Sequence, residues 1–222
     1  MARLKASRLN QTLLLILVCS GSAMLGFLCR GGRNAAANSR PILQASDDKV
    51  IEIKRFPNEP YRIGDLRVKN TEVVARQPFS ARSLTSTTGD WLENLEFTVR
   101  NTSDRRITYI VIQMDFPETG VGAPLMVYPK AIGIPPVPPV PPRSNPLSLD
   151  PGDKINIMIT APEVEGIKNF LASRSYQLAD LNKIVLRIAT VAFDDGIKWE
   201  QGRLYRRSPG ARSGYEEIKQ AN

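Results

Sequence analysis

The sequence predicts a mainly all-β fold, an antiparallel β-sandwich with one short helix. Residues 92–116 and residues 154–160 alternate apolar and polar side chains, with the two-residue period of strands that bury one face. Residues 184–193 form a nearly continuous apolar run, which is typical of a strand that is buried on both faces. Between residues 162 and 173 the apolar side chains take helical spacing instead, with acidic residues in the first turn, where the helix dipole favours them.

The composition limits the catalytic and metal-binding chemistry that this chain can carry out. The chain contains no histidine, so it lacks the usual general base near neutral pH and the commonest transition-metal ligand. This excludes His-dependent catalytic triads and most zinc enzymes. The two cysteines, Cys19 and Cys29, both precede the predicted domain, which therefore holds neither a disulfide nor a thiolate zinc site.

The net charge of +8 does not indicate a nucleic-acid partner. Residues 1–37 carry five basic side chains and no acidic one, so the other 25 basic and 22 acidic side chains leave a net charge of only +3. A domain so nearly balanced has no general need of an acidic partner. Because the sequence also has no glycine-rich phosphate loop before a helix and no calcium-loop spacing of acids, it predicts no cofactor and no metal.

Residues 1–37 predict an export signal or a single membrane anchor. A basic flank precedes an apolar stretch that runs from about residue 12 to residue 29. That length is at the lower end of the roughly 17–25 residues needed to cross a bilayer, so cleavage and retention both stay open. The basic flank places the following chain outside the cytoplasm. We therefore expect a periplasmic, extracellular or membrane-anchored protein that touches the membrane only through this segment, if it is not cleaved.

The predicted domain spans residues 49–207, after a flexible tether at residues 38–48. Its early strands are expected at residues 50–54, 61–68 and 71–75, separated by proline and glycine. Residues 77–90 are mostly polar and predict a loop. The last residues, 208–222, predict a disordered tail.

Residues 92–116 predict a β-hairpin around which the domain is organised. Two alternating strands flank the polar turn at residues 101–105. The turn begins with Asn101-Thr102-Ser103, which is a formal glycosylation sequon. The turn interpretation is favoured, because asparagine, serine and aspartate are the residues that tight turns select.

Residues 117–146 predict a long connection with an unusual proline-rich run. Proline lacks an amide hydrogen, so the run is expected to form an extended polyproline helix outside any sheet interior. The spacing of Pro138, Pro141 and Arg143 matches what peptide grooves such as SH3 domains bind, although a stiff connecting loop is favoured, since those grooves are mainly cytoplasmic. The residues predicted as a partner contact are Pro135, Pro136, Pro138, Pro139, Pro141, Pro142 and Arg143.

The C-terminal third predicts further strands and turns. A short strand at residues 147–149 enters a Pro-Gly turn before the strand at residues 154–160. Asp194-Asp195-Gly196 is a hairpin signal, and residues 197–205 are expected to form its return strand. The two aspartates do not predict a catalytic pair, because adjacent strand residues point to opposite faces.

A basic cluster near the C-terminus admits two interpretations. Its arginines could hold phosphates or anionic lipid headgroups. A solvated terminal strand is favoured, because glutamates lie nearby and no nucleic-acid motif accompanies the charges. The arginines concerned are Arg203, Arg206, Arg207 and Arg212.

Three segments together resemble the immunoglobulin-like domains of uncharacterised exported bacterial proteins. They read VRNTS at residues 99–103, LDPGD at residues 149–153 and AFDDGIKW at residues 192–199. The resemblance covers residues 49–207 and implies an immunoglobulin-like β-sandwich. Such domains share no catalytic residues, so the resemblance implies none here.

These observations predict an exported, non-enzymatic binding or structural module of the cell envelope. Its partner is expected to be a protein, contacted through edge strands or the proline-rich loop. One alternative is an accessory subunit of a larger envelope complex, which would show an exposed apolar patch. Another is a hydrolase without histidine, which would show titratable side chains converging in a deep concavity. The sequence does not predict an oligomeric state.

Overall fold

The computed structural model describes residues 48–80, 90–122, 124–136, 146–211 and 213–219. The strands are β1 (Asp48–Ile53), β2 (Tyr61–Val68), β3 (Thr71–Glu72), β4 (Pro78–Ser80), β5 (Leu95–Asn101), β6 (Ile107–Phe116), β7 (Met126–Gly133), β8 (Lys154–Met158), β9 (Lys183–Phe193), β10 (Ile197–Glu200), β11 (Arg203–Arg207) and β12 (Tyr215–Glu217). One α-helix, α1 (Ala161–Ala172), and two 3-10 turns accompany them. The mainly β class is therefore confirmed.

The predicted signal or anchor at residues 1–37 lies outside the described residues, as does nearly all of the predicted tether. Within the described ranges, no helix has both the length and the apolar character that a membrane span requires.

The larger sheet is built around β9, the strand predicted from the apolar run. One edge of β9 pairs with β6 along almost its whole length. The other edge is divided, because β1 pairs with residues 183–186 and β10 pairs with residues 190–192. The sheet continues through β7 beside β6, β4 beside β1, and β11 and β12 beside β10.

The pairing of β1 with β9 is parallel, which corrects the prediction of a purely antiparallel fold. The two strands are far apart in the sequence, so no tight turn imposes the antiparallel arrangement on them. The other strand pairings that the structure describes are antiparallel.

The predicted hairpin at residues 92–116 is wrong, although both of its strands are present. β5 pairs with β2 and β8 in the smaller sheet, whose order is β3-β2-β5-β8, whereas β6 pairs with β7 and β9 in the larger sheet. The polar turn is therefore an arch that carries the chain from one sheet to the other. Alternation shows which face of a strand is buried, and an arch satisfies that pattern as well as a hairpin does.

Both sheets contribute to one hydrophobic core. Tyr61 of β2 packs edge-on against Trp199 of β10, with ring centroids 5.3 Å apart. The hydroxyl of Tyr61 also donates to the carbonyl oxygen of Ile188 on β9, at 3.3 Å. These contacts join the smaller sheet to the larger one across the core.

Helix α1 confirms the predicted helical spacing. Its buried face is formed by Val164, Ile167 and Leu171. A capping box begins the helix. The Thr160 side chain accepts the backbone N–H of Glu163, and Glu163 Oε2 accepts the backbone N–H of Thr160 at 2.9 Å.

Four segments differ from the prediction in their detail. β4 lies inside the predicted loop at residues 77–90, and β7 lies inside the predicted connection at residues 117–146. Residues 197–205 form two strands, since positive φ angles at Gln201 and Gly202 turn the chain between β10 and β11. β12 lies inside the predicted tail. Strands of two or three residues are too short to show a period, and Pro129 obscures β7.

Pro129 is compatible with a strand because β7 is at the sheet edge. Among the described strands, β7 pairs with β6 alone. A proline that lacks its amide hydrogen is tolerated where the missing donor faces away from the ladder.

Candidate functional site

The predicted proline contact begins at the end of β7. Pro135 and Pro136 are described and half-buried. The other five predicted contact residues, Pro138, Pro139, Pro141, Pro142 and Arg143, lie outside the described residues. A partner contact through the proline-rich run therefore stays a prediction.

Gly133 holds the start of this run against the body of the domain. Its φ angle is +90°, and a Cβ at this position would lie 2.2 Å from the carbonyl oxygen of Thr108 and 2.9 Å from the Cβ of Leu147. The chain thus leaves β7 and re-enters the described structure at neighbouring points. Only glycine permits so close an approach between the two backbones.

The free edge of β8 lies beside this point. Of the described strands, only β5 pairs with β8. The backbone carbonyl of Asp153 accepts from Asn101, and the backbone N–H of Ile159 donates to Leu95, so both residues bond to β5. By antiparallel alternation, the backbone N–H and C=O groups of Lys154 and Asn156 point away from β5, and both residues are exposed.

An open depression of about 610 Å³ follows this edge. Lys154 and Ile155 line it on the strand, and Leu147 and Ser148, which follow the proline-rich run, line it as well. The depression therefore lies between an edge strand and the segment that follows the predicted proline-rich connection.

Helix α1 closes the far end of this edge. Lys130 of β7 donates to the carbonyl oxygen of Met158 at 3.2 Å and also forms a salt bridge with Glu163 of the capping box. These contacts tie β7, β8 and α1 together. The accessible part of the β8 edge is thereby limited to Lys154 and Asn156.

The charge on Glu163 supports this closure. Burial by itself would raise the pKa of its carboxyl group. Hydrogen bonds from Lys130 and from the backbone and side chain of Thr160 outweigh that effect and hold the pKa below the ordinary value of 4.5. The carboxylate is therefore the form that the fold stabilises.

Replacing Glu163 with glutamine should lower the free energy of unfolding by about 1 kcal/mol at neutral pH, because the cap and the salt bridge are weakened. Because the pKa of Glu163 is lower in the folded state than in the unfolded state, the ionised carboxylate stabilises the fold above the unfolded-state pKa. That stabilisation is lost as the pH falls through the folded-state pKa. The difference between wild type and variant should therefore shrink below pH 4.5 in urea titrations followed by circular dichroism.

Glu165→Gln is the matched control for this prediction. Its carboxylate is 64% exposed and pairs with Lys168, so its loss should cost less than about 0.5 kcal/mol. A Glu163→Gln difference that persisted undiminished at about pH 3 would contradict the assignment.

The other residues considered from the sequence have structural roles. Asp195 accepts the backbone N–H of Ile197 at 3.0 Å and forms a 3.0 Å salt bridge with Arg105, so it stabilises the β9–β10 turn. In the part of the chain that the structure describes, no group of three or more acidic residues is placed to hold a metal ion.

The basic cluster lies mostly on β11 and faces acidic residues. Arg206 is opposite Glu216 on β12, and Arg203 is 3.5 Å from Glu217. Arg212 is outside the described residues. The acidic neighbours favour the solvated terminal strand over a phosphate site.

Asn101, the first residue of the sequon, is buried at the start of the arch. Its amide nitrogen donates to the carbonyl oxygens of Arg105, at 2.7 Å, and Leu149, at 2.9 Å. Its amide oxygen accepts from the backbone N–H and the hydroxyl of Ser103. Asn101 thus stabilises the arch that connects the two sheets, in place of the predicted hairpin turn.

Sequence reasoning missed a group of cations on the smaller sheet. Arg62 is directly opposite Arg100, and Arg100 is directly opposite Lys154. All three side chains are exposed on the outer face. They belong to three separate parts of the sequence, so only the strand pairing brings them together.

No protein-family model, curated protein or solved structure matches this chain. The function has therefore to be inferred from the chain's own geometry.

Proposed function

We propose that this protein is an exported, non-enzymatic binding module of the cell envelope with an immunoglobulin-like sandwich fold. It binds a protein partner through the free edge of β8 and the adjacent proline-rich loop. The observation that carries the proposal is the depression of about 610 Å³ between the β8 edge and the chain that follows the loop. The two sheets with a shared core, and the arch between them, support the immunoglobulin-like assignment.

The mode of binding is the addition of an extended partner segment to β8. The backbone groups of Lys154 and Asn156 supply hydrogen bonds along the strand, and the depression receives alternate side chains of the partner. The proline-rich loop adds a surface that loses little entropy on binding, because proline restricts its backbone beforehand.

A hydrolase without histidine is less well supported. Ser148 and Lys154 both line the depression, but no hydrogen bond joins these two described residues. A serine nucleophile needs a base within hydrogen-bonding reach. The depression is also open, and it does not enclose a substrate away from water.

An accessory subunit of a larger envelope complex is the second candidate. Its support is the exposure of Val121, Leu125 and Ile134, which are 72%, 44% and 41% accessible. However, Ile134 follows the end of β7 and the other two precede its start, so about 25 Å of strand separates them. Scattered apolar residues of this kind support an extensive permanent interface less well than one contiguous patch does.

A photo-crosslinker at position 156 in intact cells should capture the partner. The mode of binding is tested by removing an outward backbone N–H donor of β8, at Lys154 or Asn156. Asn156→Pro does this with the least damage, because a proline on the edge strand keeps the β5 pairing intact. With the crosslinker placed at Ser148 instead, Asn156→Pro and deletion of residues 135–142 should each reduce capture by about tenfold, which corresponds to the loss of one or two hydrogen bonds.

Asn156→Ala is the matched control, since it removes the same side chain but keeps the backbone donor, and it should leave capture unchanged. Equal capture by wild type and Asn156→Pro would refute strand addition. If capture also survives the deletion, the β8 surface is not the binding site. N-terminal sequencing of the same preparation distinguishes a cleaved signal from a retained anchor.

A further inference from the structure

The outer face of the smaller sheet carries a cationic row, formed by Arg62, Arg100 and Lys154. The residues lie on the adjacent strands β2, β5 and β8 in direct cross-strand register. Neighbouring strands are about 4.8 Å apart, so the row spans roughly 10 Å across the sheet. It runs perpendicular to the strands.

The row lacks the acidic partners that nearby arginines have. Within the described residues, none of its three members forms a salt bridge. Arg100 donates from Nε to the carbonyl oxygen of Gly152 at 3.0 Å, which orients its guanidinium group and leaves the terminal nitrogens available. Three other arginines of the domain are each paired with a carboxylate, as Arg55–Glu59 (3.2 Å), Arg105–Asp195 (3.0 Å) and Arg106–Asp150 (2.5 Å).

Direct cross-strand neighbours of like charge destabilise a sheet. The row places two such pairs side by side, at positions where the fold does not require a cation, because all three side chains are exposed. An external anion that binds the row would remove this repulsion. Arg62 and Arg100 are side by side on adjacent strands. They are suited to binding carboxylates, because a guanidinium group binds a carboxylate in a bidentate manner.

Polar groups surround the row. Arg62 and Arg100 both line a shallow depression of about 320 Å³, together with Thr102 and Ser103 of the arch. The next cross-strand row along the sheet contains Thr98 opposite Asn156. The Thr98 hydroxyl donates to the Asp65 carboxylate at 3.0 Å, so amide, hydroxyl and carboxylate groups lie beside the cations and can bind the hydroxyl groups of a sugar.

We propose that the cationic row binds a linear acidic polysaccharide through its carboxylate groups. This contact lies on the outer face of the sheet, beyond the strand edge assigned to the protein partner. A polymer lying across the strands meets all three cations. An acidic peptide added to β8 by its backbone runs along the strands and meets only Lys154.

The surroundings of the row also argue against a membrane surface. Membrane-binding faces combine cations with large apolar side chains that enter the lipid. Of the large hydrophobic side chains found exposed in the described residues, only Met158 lies on a strand of the smaller sheet, and it is opposite Glu96, two rows away from the cations.

The test measures binding of the full-length protein to immobilised alginate, a polymer of uronic acids. Wild type should bind, with an affinity that falls as salt is raised, because the contact is exposed and ionic. The double variant Arg62→Gln/Arg100→Gln should lose about tenfold or more in affinity. Arg206→Gln/Arg207→Gln carries the same change of net charge on β11 and should stay within about twofold of wild type.

A thermal measurement separates ligand binding from a structural role. Alginate should raise the melting temperature of wild type but not that of Arg62→Gln/Arg100→Gln, which in turn should melt no lower than wild type without polymer. Three results would each overturn the proposal: no binding to alginate, equal losses in the two double variants, or binding confined to phosphatidylglycerol vesicles or polyglutamate. None of these results depends on capture at the β8 edge, so this proposal and the proposed function can fail separately.

Discussion

Asn101→Ala is expected to lower the free energy of unfolding by about 3 kcal/mol, because it removes four hydrogen bonds at a buried position. The amide group of Asn101 makes hydrogen bonds to the backbone of Arg105 and Leu149 and receives two from Ser103, all within a fully buried site. Alanine removes these bonds and cannot replace them. Urea unfolding followed by tryptophan fluorescence measures the loss.

Asn156→Ala provides the comparison for this loss, because Asn156 is an exposed asparagine on the neighbouring strand. Its change should lie within about 0.5 kcal/mol of zero. Ser103→Ala should fall between the two, near 1 kcal/mol, since it removes one donor to Asn101 and keeps the amide. A loss at Asn101 no greater than that at Asn156 would show that the arch does not depend on this side chain.

Gly133→Ala should destabilise the domain by about 3 kcal/mol or more. The added Cβ would meet the carbonyl oxygen of Thr108 at 2.2 Å, and this atom belongs to the backbone, so it cannot rotate away. The end of β7 would have to separate from β6, which would also displace the start of the proline-rich loop. Hydrogen exchange should therefore increase at Tyr109, the residue paired with Gly133, as well as in the global unfolding reaction.

Gly152→Ala separates the steric clash from backbone strain. Gly152 has nearly the same φ, +86°, but a Cβ there would have no atom within 4 Å. Its substitution should cost only the strain of a left-handed alanine, about 1 kcal/mol. Equal losses at the two glycines would mean that the close contact with Thr108 contributes nothing.

Several elements could be predicted from the sequence because their residues report burial directly. Strand β2 occupies residues 61–68, as expected from the turn formers around it, and β9 follows the apolar run within one residue. Helix α1 has its buried face where the spacing placed it. The turn at Gly196 also has the positive φ that the Asp-Gly signal predicts.

The pairing of strands could not be predicted in the same way. The two strands of residues 92–116 belong to different sheets, and β1 finds a parallel neighbour far along the chain. Strand β7 could not be predicted because it contains Pro129 and precedes the proline-rich run. A strand at the sheet edge tolerates such a proline. Each of these outcomes depends on contacts between distant segments, which local periodicity does not contain.

The sequence by itself determined the buried faces of the longest strands and of the helix, the start of the helix to within one residue, and the lack of histidine and cysteine chemistry in the domain. Only the tertiary structure decided that the polar turn is an arch, that the β8 edge lies beside residues 147 and 148, and that Arg62, Arg100 and Lys154 form one row. The physical reason is that burial alternates residue by residue along each strand. The neighbour of a strand, by contrast, is selected by the packing of the whole core, and the candidate binding surfaces arise from that choice of neighbours.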